Sequence, residues 1–391
     1  AIVPLSFVNV GCSAPDTSPP DRVWPEVEAP EYETQPEGSS TNDVFSQASF
    51  EYDVPVQLLK AVAWVETRGH MVAGHEHADG MPPAYGVMGL RGEALFEAAE
   101  ILGLTPDAAA AELVTNVRAG AALLSKRAQL LGIDRSSLDN WAPVVADYSS
   151  IELEQGKSHY VHQEVYPTLR AGVQTETLSF DPVEVEPQFP AEPEFRAAGP
   201  DYAPSVWRAS PNYGSRSSGA TGGRQMVIIH TCEGSYSGCW SWLANSASKV
   251  SAHYVVNSTG SEVSQLVKEA NRGYHISATY KCSLNSNVKC SLNGAGSNHF
   301  TVGIEHAGYG SQTSWDSGLL EASAKLVCDI TRDNKIPIDE NHIVGHGELQ
   351  PYNRSDPGKA WPWKSYIAAV KAYCAGGTPN PNPNPNPNPN P

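Results

Sequence analysis

The chain has 391 residues and a formal net charge of −17, with 33 glycines and 31 prolines. This length favours two domains over one. The charge is uneven, because residues 1–205 carry a net charge of −20 and residues 206–391 a net charge of +3. An acidic first half argues against a nucleic-acid partner, which requires basic patches. Much of this acid lies in proline-rich stretches that are typical of solvated linkers.

The first 42 residues are predicted to be a signal remnant followed by a disordered tether. A short apolar run, AIVPLSFVNVG, precedes Cys12, and a polar Ser/Pro/Asp stretch follows it. The pattern resembles the end of a lipoprotein signal with Cys12 as the lipidated residue, and an ordinary secretory signal is the alternative. Both predict an extracytoplasmic protein. No apolar run reaches 18 residues, so a transmembrane helix is not expected.

Residues 43–172 have helical periodicity and are predicted to form an α-helical domain. On its first apolar face, Glu66 follows Leu59 and Val62 at helical spacing. A carboxyl group buried on such a face would have a raised pKa and could act as a general acid. The pattern alone favours the plainer interpretation, a frayed helix end with Glu66 in solvent. Further helices are expected at 92–102, 107–114 and 116–131.

An acidic, proline-rich linker is expected at 173–205, and the Pro-Asn repeat of 376–391 is a low-complexity tail. Between them, residues 206–375 alternate apolar strands with helices. This alternation predicts an α/β domain with a central mixed β-sheet flanked by helices. Strands are expected at 225–230, 251–257, 263–267, Thr301–His306 and Ile343–Gly345. Helices are expected at 315–333 and 363–373.

Six of the seven cysteines lie in the second domain, and an even number predicts disulfides and an oxidising compartment. Short spacings favour the pairs Cys232–Cys239 and Cys282–Cys290, which leaves Cys328–Cys374. Zinc-binding thiolates are the alternative, but the sequence contains no C-x-x-C pair.

Two segments of the second domain, VIIHTCEG and VGHGELQPYNRSDPG, place histidines at strand ends. His230 ends the first strand and His346 follows the second, with Asp356 ten residues later. Two neutral imidazoles and one carboxylate are a normal ligand set for a catalytic zinc, which keeps a fourth position open. The chain has 12 histidines, so ordinary polar roles for these residues are the alternative.

These two segments resemble the amidase-2 family of N-acetylmuramoyl-L-alanine amidases, which includes the AmpD type and the peptidoglycan recognition proteins. The resemblance covers residues 206–375 and implies that His230, His346 and Asp356 bind Zn²⁺. It also implies hydrolysis of the amide bond between the muramyl lactyl group and L-alanine of peptidoglycan. Arg354 stands where the family usually has a lysine, which implies a role in stabilising the oxyanion.

The same resemblance implies a general base, which is either a tyrosine in the second strand or a glutamate in the VGIE strand. Ala252 occupies the tyrosine position, so Glu305 is expected to take the proton of the attacking water. A structural carboxylate paired with a cation is the alternative for Glu305. His275 in GYHIS matches a family histidine near the substrate groove, which implies substrate binding, with a structural role as the alternative.

The first domain resembles the lytic transglycosylase and goose-type lysozyme fold in the segments AVAWVETRG, AYGVMGL, NVRAGAALL and VADYSS. The resemblance implies that Glu66 is the catalytic acid for cleaving the glycan strand and that Tyr148 binds substrate. Thr67, Gly89 and residues 149–150 depart from the family pattern at sugar-binding positions. A degenerate, glycan-binding domain is therefore the alternative.

The sequence thus predicts an extracytoplasmic, monomeric peptidoglycan hydrolase with a zinc amidase domain and a domain that cleaves or binds the glycan. The alternative from another class is a non-catalytic wall-binding or anchoring protein. In that case the first domain only grips glycan and the Pro-Asn tail spans the wall.

Overall fold

The computed structural model describes residues 40–75, 81–191 and 199–377. Cys12, nearly all of the predicted tether and the repeats from residue 378 onward lie outside these ranges. Within them, no helix combines the length and apolar character that crossing a membrane requires.

The first half is mainly helical, as predicted, and its helices pack around one apolar core. The helices are α1 Thr41–Tyr52, α2 Val56–Thr67, α3 Gly92–Leu102, α4 Pro106–Ala111, α5 Leu113–Leu131, α6 Ala142–Tyr148, α7 Glu154–His159 and α8 Tyr166–Ala171. A π-helical turn, Tyr160–Val165, joins α7 to α8. A small antiparallel sheet follows α2, with strands β1 Val72–Ala73, β2 Ala84–Gly86 and β3 Leu90–Arg91.

Helix α2 holds Glu66 inside the protein, so the expectation of a frayed, solvent-facing end is wrong. Nine of the twelve residues of α2 are buried, and Glu66 is only 7% exposed. The helix stays intact to its last residue because the Thr67 hydroxyl donates to the Val87 carbonyl, at 2.6 Å. Arg68 then ends the helix in the left-handed region, at φ 57°.

Much of the predicted linker, residues 173–205, packs against the two halves. Strands β4 Val173–Gln174 and β5 Ser179–Phe180 form a hairpin. Leu178, Phe180 and Val185 are buried in the core of the helical half. Beyond residue 198, the carboxylate of Asp201 accepts hydrogen bonds from Gln265 Nε2 and the Glu269 backbone. The chain between the halves is therefore part of the packed structure of both.

The second half is built on a six-stranded mixed sheet with helices on its faces, which confirms the predicted α/β architecture. The strand order is β13-β8-β12-β9-β10-β6. Its strands are β6 Val206–Trp207, β8 Met226–Ile229, β9 Tyr254–Val256, β10 Val263–Gln265, β12 Thr301–His306 and β13 Ile343–Gly345. Strands β7 Tyr213–Ser215 and β11 Asn271–Gly273 form a separate pair. The helices are α9 Tyr236–Ala244, α10 Ser317–Asn334, α11 His346–Leu349 and α12 Trp363–Cys374.

The three adjacent strands β13, β8 and β12 run parallel, with β13 at the edge of the sheet. Every residue of these strands is buried, as is typical of parallel strands covered on both faces. Their carboxyl ends therefore meet at one edge of the sheet. That edge receives His230 directly after β8 and His346 at the start of α11.

The three predicted disulfides are confirmed. Cys232–Cys239 joins the chain after β8 to α9, and Cys282–Cys290 closes a short loop. Cys328–Cys374 joins α10 to α12 on the face of the sheet that α10 covers.

The two halves meet at the N-terminus of α9. The side chain of Ser235, the N-cap residue of α9, makes no hydrogen bond to the first turn of the helix. Instead the buried carboxylate of Glu164, which lies in the π-helical turn, accepts from the backbone N–H groups of Tyr236 and Ser237 at 3.2 and 3.0 Å. A negative charge at this end of a helix is favourable, so the helical half caps a helix of the sheet half.

Replacing Glu164 with alanine would leave two buried N–H groups of α9 without their acceptor. We expect the free energy of unfolding to fall by about 1–3 kcal/mol. Glu154→Ala is the control, because it removes an exposed ion pair with Lys157 and should change the free energy by less than about 0.5 kcal/mol. Denaturant titration of both full-length variants measures this difference, and equal effects would contradict the capping role.

Candidate active site

The three predicted ligand residues converge at the carboxyl edge of the sheet. His230 Nδ1 lies 3.1 Å from both His346 Nδ1 and Asp356 Oδ2, and His346 Nδ1 lies 3.3 Å from the same carboxylate oxygen. The three ligand atoms all lie within 4.8 Å of one another, and all three residues are buried. The loop after α11 returns Asp356 to the sheet, where its carbonyl accepts from the Gly347 N–H at 2.9 Å.

A chain of hydrogen bonds orients the imidazole of His230. The Thr301 hydroxyl donates to the Ser297 carbonyl at 2.8 Å, so its oxygen is left to accept from His275 Nε2 at 3.2 Å. His275 Nδ1 is then an acceptor and lies 3.0 Å from His230 Nε2. His230 must therefore carry its proton on Nε2, which leaves a lone pair on Nδ1, facing the cluster.

The imidazole of His346 is oriented in the same sense by its own helix. His346 Nε2 lies 3.1 Å from Gln350 Oε1, and Gln350 Nε2 donates to Asn353 Oδ1 at 2.9 Å. An amide oxygen only accepts, so His346 also carries its proton on Nε2.

The two Nδ1 lone pairs and the Asp356 carboxylate therefore point at one another without a proton to share. Such an arrangement is unfavourable unless a cation lies between the ligand atoms. Two imidazole nitrogens and one carboxylate suit zinc, with the outward nitrogens held by neighbouring acceptors as in other zinc sites. The residues present thus fit the metal that the sequence predicts.

The electrostatics of the cluster agree with a neutral His230. Burial lowers the pKa of His230 and so favours the neutral imidazole that binds metals.

A cavity of about 260 Å³ opens beside the cluster, and it also brings Glu305, Arg354 and His275 together with His346. Glu305 lies on β12 next to Ile304, which pairs with Ile229 at the end of β8, so its carboxyl lies at the level of His230. Among the described residues that line this cavity, Glu305 is the one that carries a carboxylate. Arg354 reaches the cavity from the loop after α11, with its Nη1 donating to the Asn353 carbonyl.

His275 is partly buried and lines the cavity. It is pressed against β12, because a Cβ at Gly303 would lie only 2.4 Å from His275 Cγ. Its ring therefore contacts both the cavity and His230. Ala252, at the position that the tyrosine base would take, is buried in the apolar cluster around α9.

Sequence reasoning missed the residues that orient the two histidines. Gln350 lies four residues after His346, and helical spacing could have indicated it. Thr301 lies far from His230 in sequence, and nothing in the pattern of residues connects the two.

The helical half places Glu66 in a site of its own. Burial raises the pKa of Glu66 to about 7, and the nearby Arg91 and Tyr160 only partly oppose this. Gly89 has φ +61°, and a Cβ there would lie 2.8 Å from Glu66 Cβ, so this position favours glycine. Tyr148 is buried beside Glu66, and its hydroxyl donates to the Met88 carbonyl at 2.7 Å.

Comparison with known proteins identifies the family of the sheet half. Residues 221–359 match the family described as N-acetylmuramoyl-L-alanine amidase, Amidase_2. The chain is 30% identical over 197 residues to N-acetylmuramoyl-L-alanine amidase A of Achromobacter lyticus, which is 46% of this chain and 99% of that protein. The chain therefore belongs to the N-acetylmuramoyl-L-alanine amidase family.

Two further similarities were found. A 1,6-anhydro-N-acetylmuramyl-L-alanine amidase, AmpD, of Haemophilus influenzae is 27% identical over 123 residues, which are 32% of this chain and 60% of that protein. The crystal structure of an AmpD derivative is 20% identical with a TM-score of 0.35, and the match covers 43% of this chain and 94% of that one. The family match begins at residue 221 and so does not include the helical half.

We expect the support of His230 by His275 to be measurable as metal affinity. His275→Ala removes the acceptor of His230 Nε2, and Gly303→Ala displaces the His275 ring, so both should weaken zinc binding by about 10–100-fold. His342→Ala is the matched control, because His342 bonds to Asp339 and does not touch the cluster. Competition with a chromophoric chelator on metal-stripped, full-length protein measures the affinity. Unchanged affinity in His275→Ala would contradict the orienting role.

Proposed function

We propose that the protein is a zinc-dependent amidase that hydrolyses the bond between N-acetylmuramic acid and L-alanine in peptidoglycan. The observation that carries the proposal is the convergence of His230 Nδ1, His346 Nδ1 and Asp356 within 4.8 Å beside an open cavity. Family membership and the names of the amidase relatives support the choice of substrate.

The chain's own residues divide the work of amide hydrolysis. Zinc, when bound by the three ligands, supplies Lewis acidity that polarises a carbonyl group. Glu305 accepts a proton from the attacking water and later donates it to the leaving nitrogen of L-alanine. One water is consumed, the C–N bond breaks, and the products are a carboxylate on the lactyl group and a free amine.

Arg354 is assigned to the negative charge that develops on the carbonyl oxygen. Its guanidinium lies at the cavity and is steered by its bond to the Asn353 carbonyl. A planar guanidinium offers two parallel donors where the lysine usual in this family offers a point charge. The assignment therefore requires an approach in the plane of the guanidinium group.

A non-catalytic, wall-binding protein is the competing proposal. A binding module has no need of two histidines that are held with their lone pairs towards a carboxylate. The retention of the whole cluster, together with Glu305 beside it, favours the enzyme.

For the helical half we propose action on the glycan strand, with Glu66 as the acid that protonates the glycosidic oxygen. A carboxyl group with a pKa of about 7 keeps a proton to donate near neutral pH. Tyr148 supports the wall of this site. In the transglycosylase form of this reaction, a hydroxyl of the substrate closes the ring and returns the proton to Glu66.

We place the protein outside the cytoplasm, as a monomer that acts on the cell wall. The three disulfides support an oxidising compartment. Cys12 is proposed as a lipid anchor on the sequence pattern alone.

Glu305→Gln tests the amidase proposal. The amide keeps the shape of the carboxylate but cannot take a proton, so kcat should fall by about 10²–10⁴-fold while zinc affinity stays within about twofold. Glu321→Gln, on the exposed face of α10, is the matched control. Mass spectrometry of the peptide released from a soluble N-acetylmuramyl-peptide gives the rate. A Glu305→Gln enzyme with the wild-type rate would exclude Glu305 as the base.

Glu66→Gln, made in the Glu305→Gln background, tests the glycan proposal on purified sacculi. We expect the parent to release anhydro-muropeptides and the Glu66→Gln variant to release none. Because the raised pKa keeps Glu66 protonated below about pH 7, release should decline as the pH rises through about 7. The contribution of this protonated carboxyl to the free energy of unfolding is complete below pH 4.5. It is lost as the pH rises through about 7. No release by the parent would leave this half as a binding domain.

A further inference from the structure

A cavity lies at the junction of the two halves, away from the metal-ligand cluster of His230, His346 and Asp356. It has a volume of about 350 Å³, which is within the usual range of ligand sites. Glu66, Arg91 and residues 149–153 line it from the helical half, whereas Ser235, Trp242 and Asn245 line it from the sheet half. Glu66 therefore faces a space whose opposite wall belongs to the amidase domain.

The junction that encloses this cavity is held by polar contacts on several sides. Glu164 caps α9, as described above. His159 Nδ1 lies 2.7 Å from Ser237 Oγ, and Asn245 Nδ2 donates to Glu152 at 2.6 Å. Arg91 donates to the Glu233 carbonyl at 3.0 Å. These contacts fix the two walls relative to each other, so the cavity has a defined shape.

Helix α9 presents two polar side chains to this cavity. Ser241, which is 3% exposed, and Trp242 both line it. A hydroxyl and an indole group on one wall suit a ligand that has both polar groups and an apolar face.

The lining indicates the chemistry of this ligand. It combines hydroxyls, one amide and an indole with three carboxyl groups, Glu66, Glu93 and Glu152, against the single guanidinium of Arg91. This balance disfavours an anionic ligand such as an acidic peptide. A neutral ring with hydroxyl and acetamido groups matches the polar groups, and its apolar face can lie on the indole of Trp242.

We propose that the junction cavity binds a neutral amino-sugar unit of the glycan strand, so that α9 of the amidase domain completes the glycan site of the helical half. Such a site presupposes the proposed peptidoglycan substrate, but it does not require that Glu66 cleaves it. Trp242 and Asn245 contact this sugar, whereas their neighbour Leu243 lines the cavity at the metal-ligand cluster. One helix therefore serves both sites.

The test uses the full chain and a peptide-free oligosaccharide of β-1,4-linked N-acetylglucosamine. Trp242→Ala should weaken its binding at least about tenfold in calorimetric titration, because the sugar loses its stacking surface. Tyr213→Ala removes an exposed aromatic residue of the same half outside both cavities and should change the affinity less than about twofold. A circular-dichroism spectrum and a thermal unfolding midpoint like those of the wild type verify that Trp242→Ala is folded.

Hydrogen exchange of the wild-type protein provides an independent measurement that does not depend on a substitution. Saturating oligosaccharide should protect both residues 149–153 and residues 235–245. Protection of the first segment alone, unchanged binding by folded Trp242→Ala, or no binding to the wild type would each overturn the composite site. Binding with both segments protected, but without cleavage of sacculi, would uphold it and refute only the glycan-cleaving role of Glu66.

Discussion

The whole site depends on two imidazoles whose lone pairs are turned towards one carboxylate inside the protein. Burial makes this arrangement costly, because His230 and His346 cannot relieve it by rotating away from their acceptors. The acceptor of His230 is His275, which is itself committed through Thr301 to a backbone carbonyl. A chain of hydrogen bonds thus holds His230 in one tautomer, and this tautomer has a use only when Nδ1 binds a ligand.

The parallel arrangement of β13, β8 and β12 is what makes this convergence possible. Parallel strands deliver their carboxyl ends to one edge, so residues more than a hundred positions apart, His230 and His346, become neighbours. Glu305 arrives at the same level because β12 pairs with β8 in register. The loop that returns Asp356 then needs only to lie over the edge of the sheet.

Sequence reasoning could find His230, His346 and Asp356 because strand ends and spacing are visible in the chain, and it could pair the cysteines because close spacings leave few choices. The apolar pattern alone favoured Glu66 in solvent, whereas the family resemblance assigned it to a site. The pattern could not show that the bond that keeps α2 intact goes from Thr67 to Val87 across the fold. Sequence reasoning also treated residues 173–205 as linker. Composition did not reveal that Leu178, Phe180 and Val185 find an apolar surface on the helical half. Contacts distant in sequence account for each failure.

Helix α9 contacts both halves of the protein and holds them together. Its N-terminus is capped by Glu164, its middle is joined by Cys239 to the residue two positions after His230, and its last turn lines both cavities. Two cavities on one helix keep a constant separation, so a glycan strand bound at the proposed junction site would lie at a fixed distance from the metal-ligand cluster.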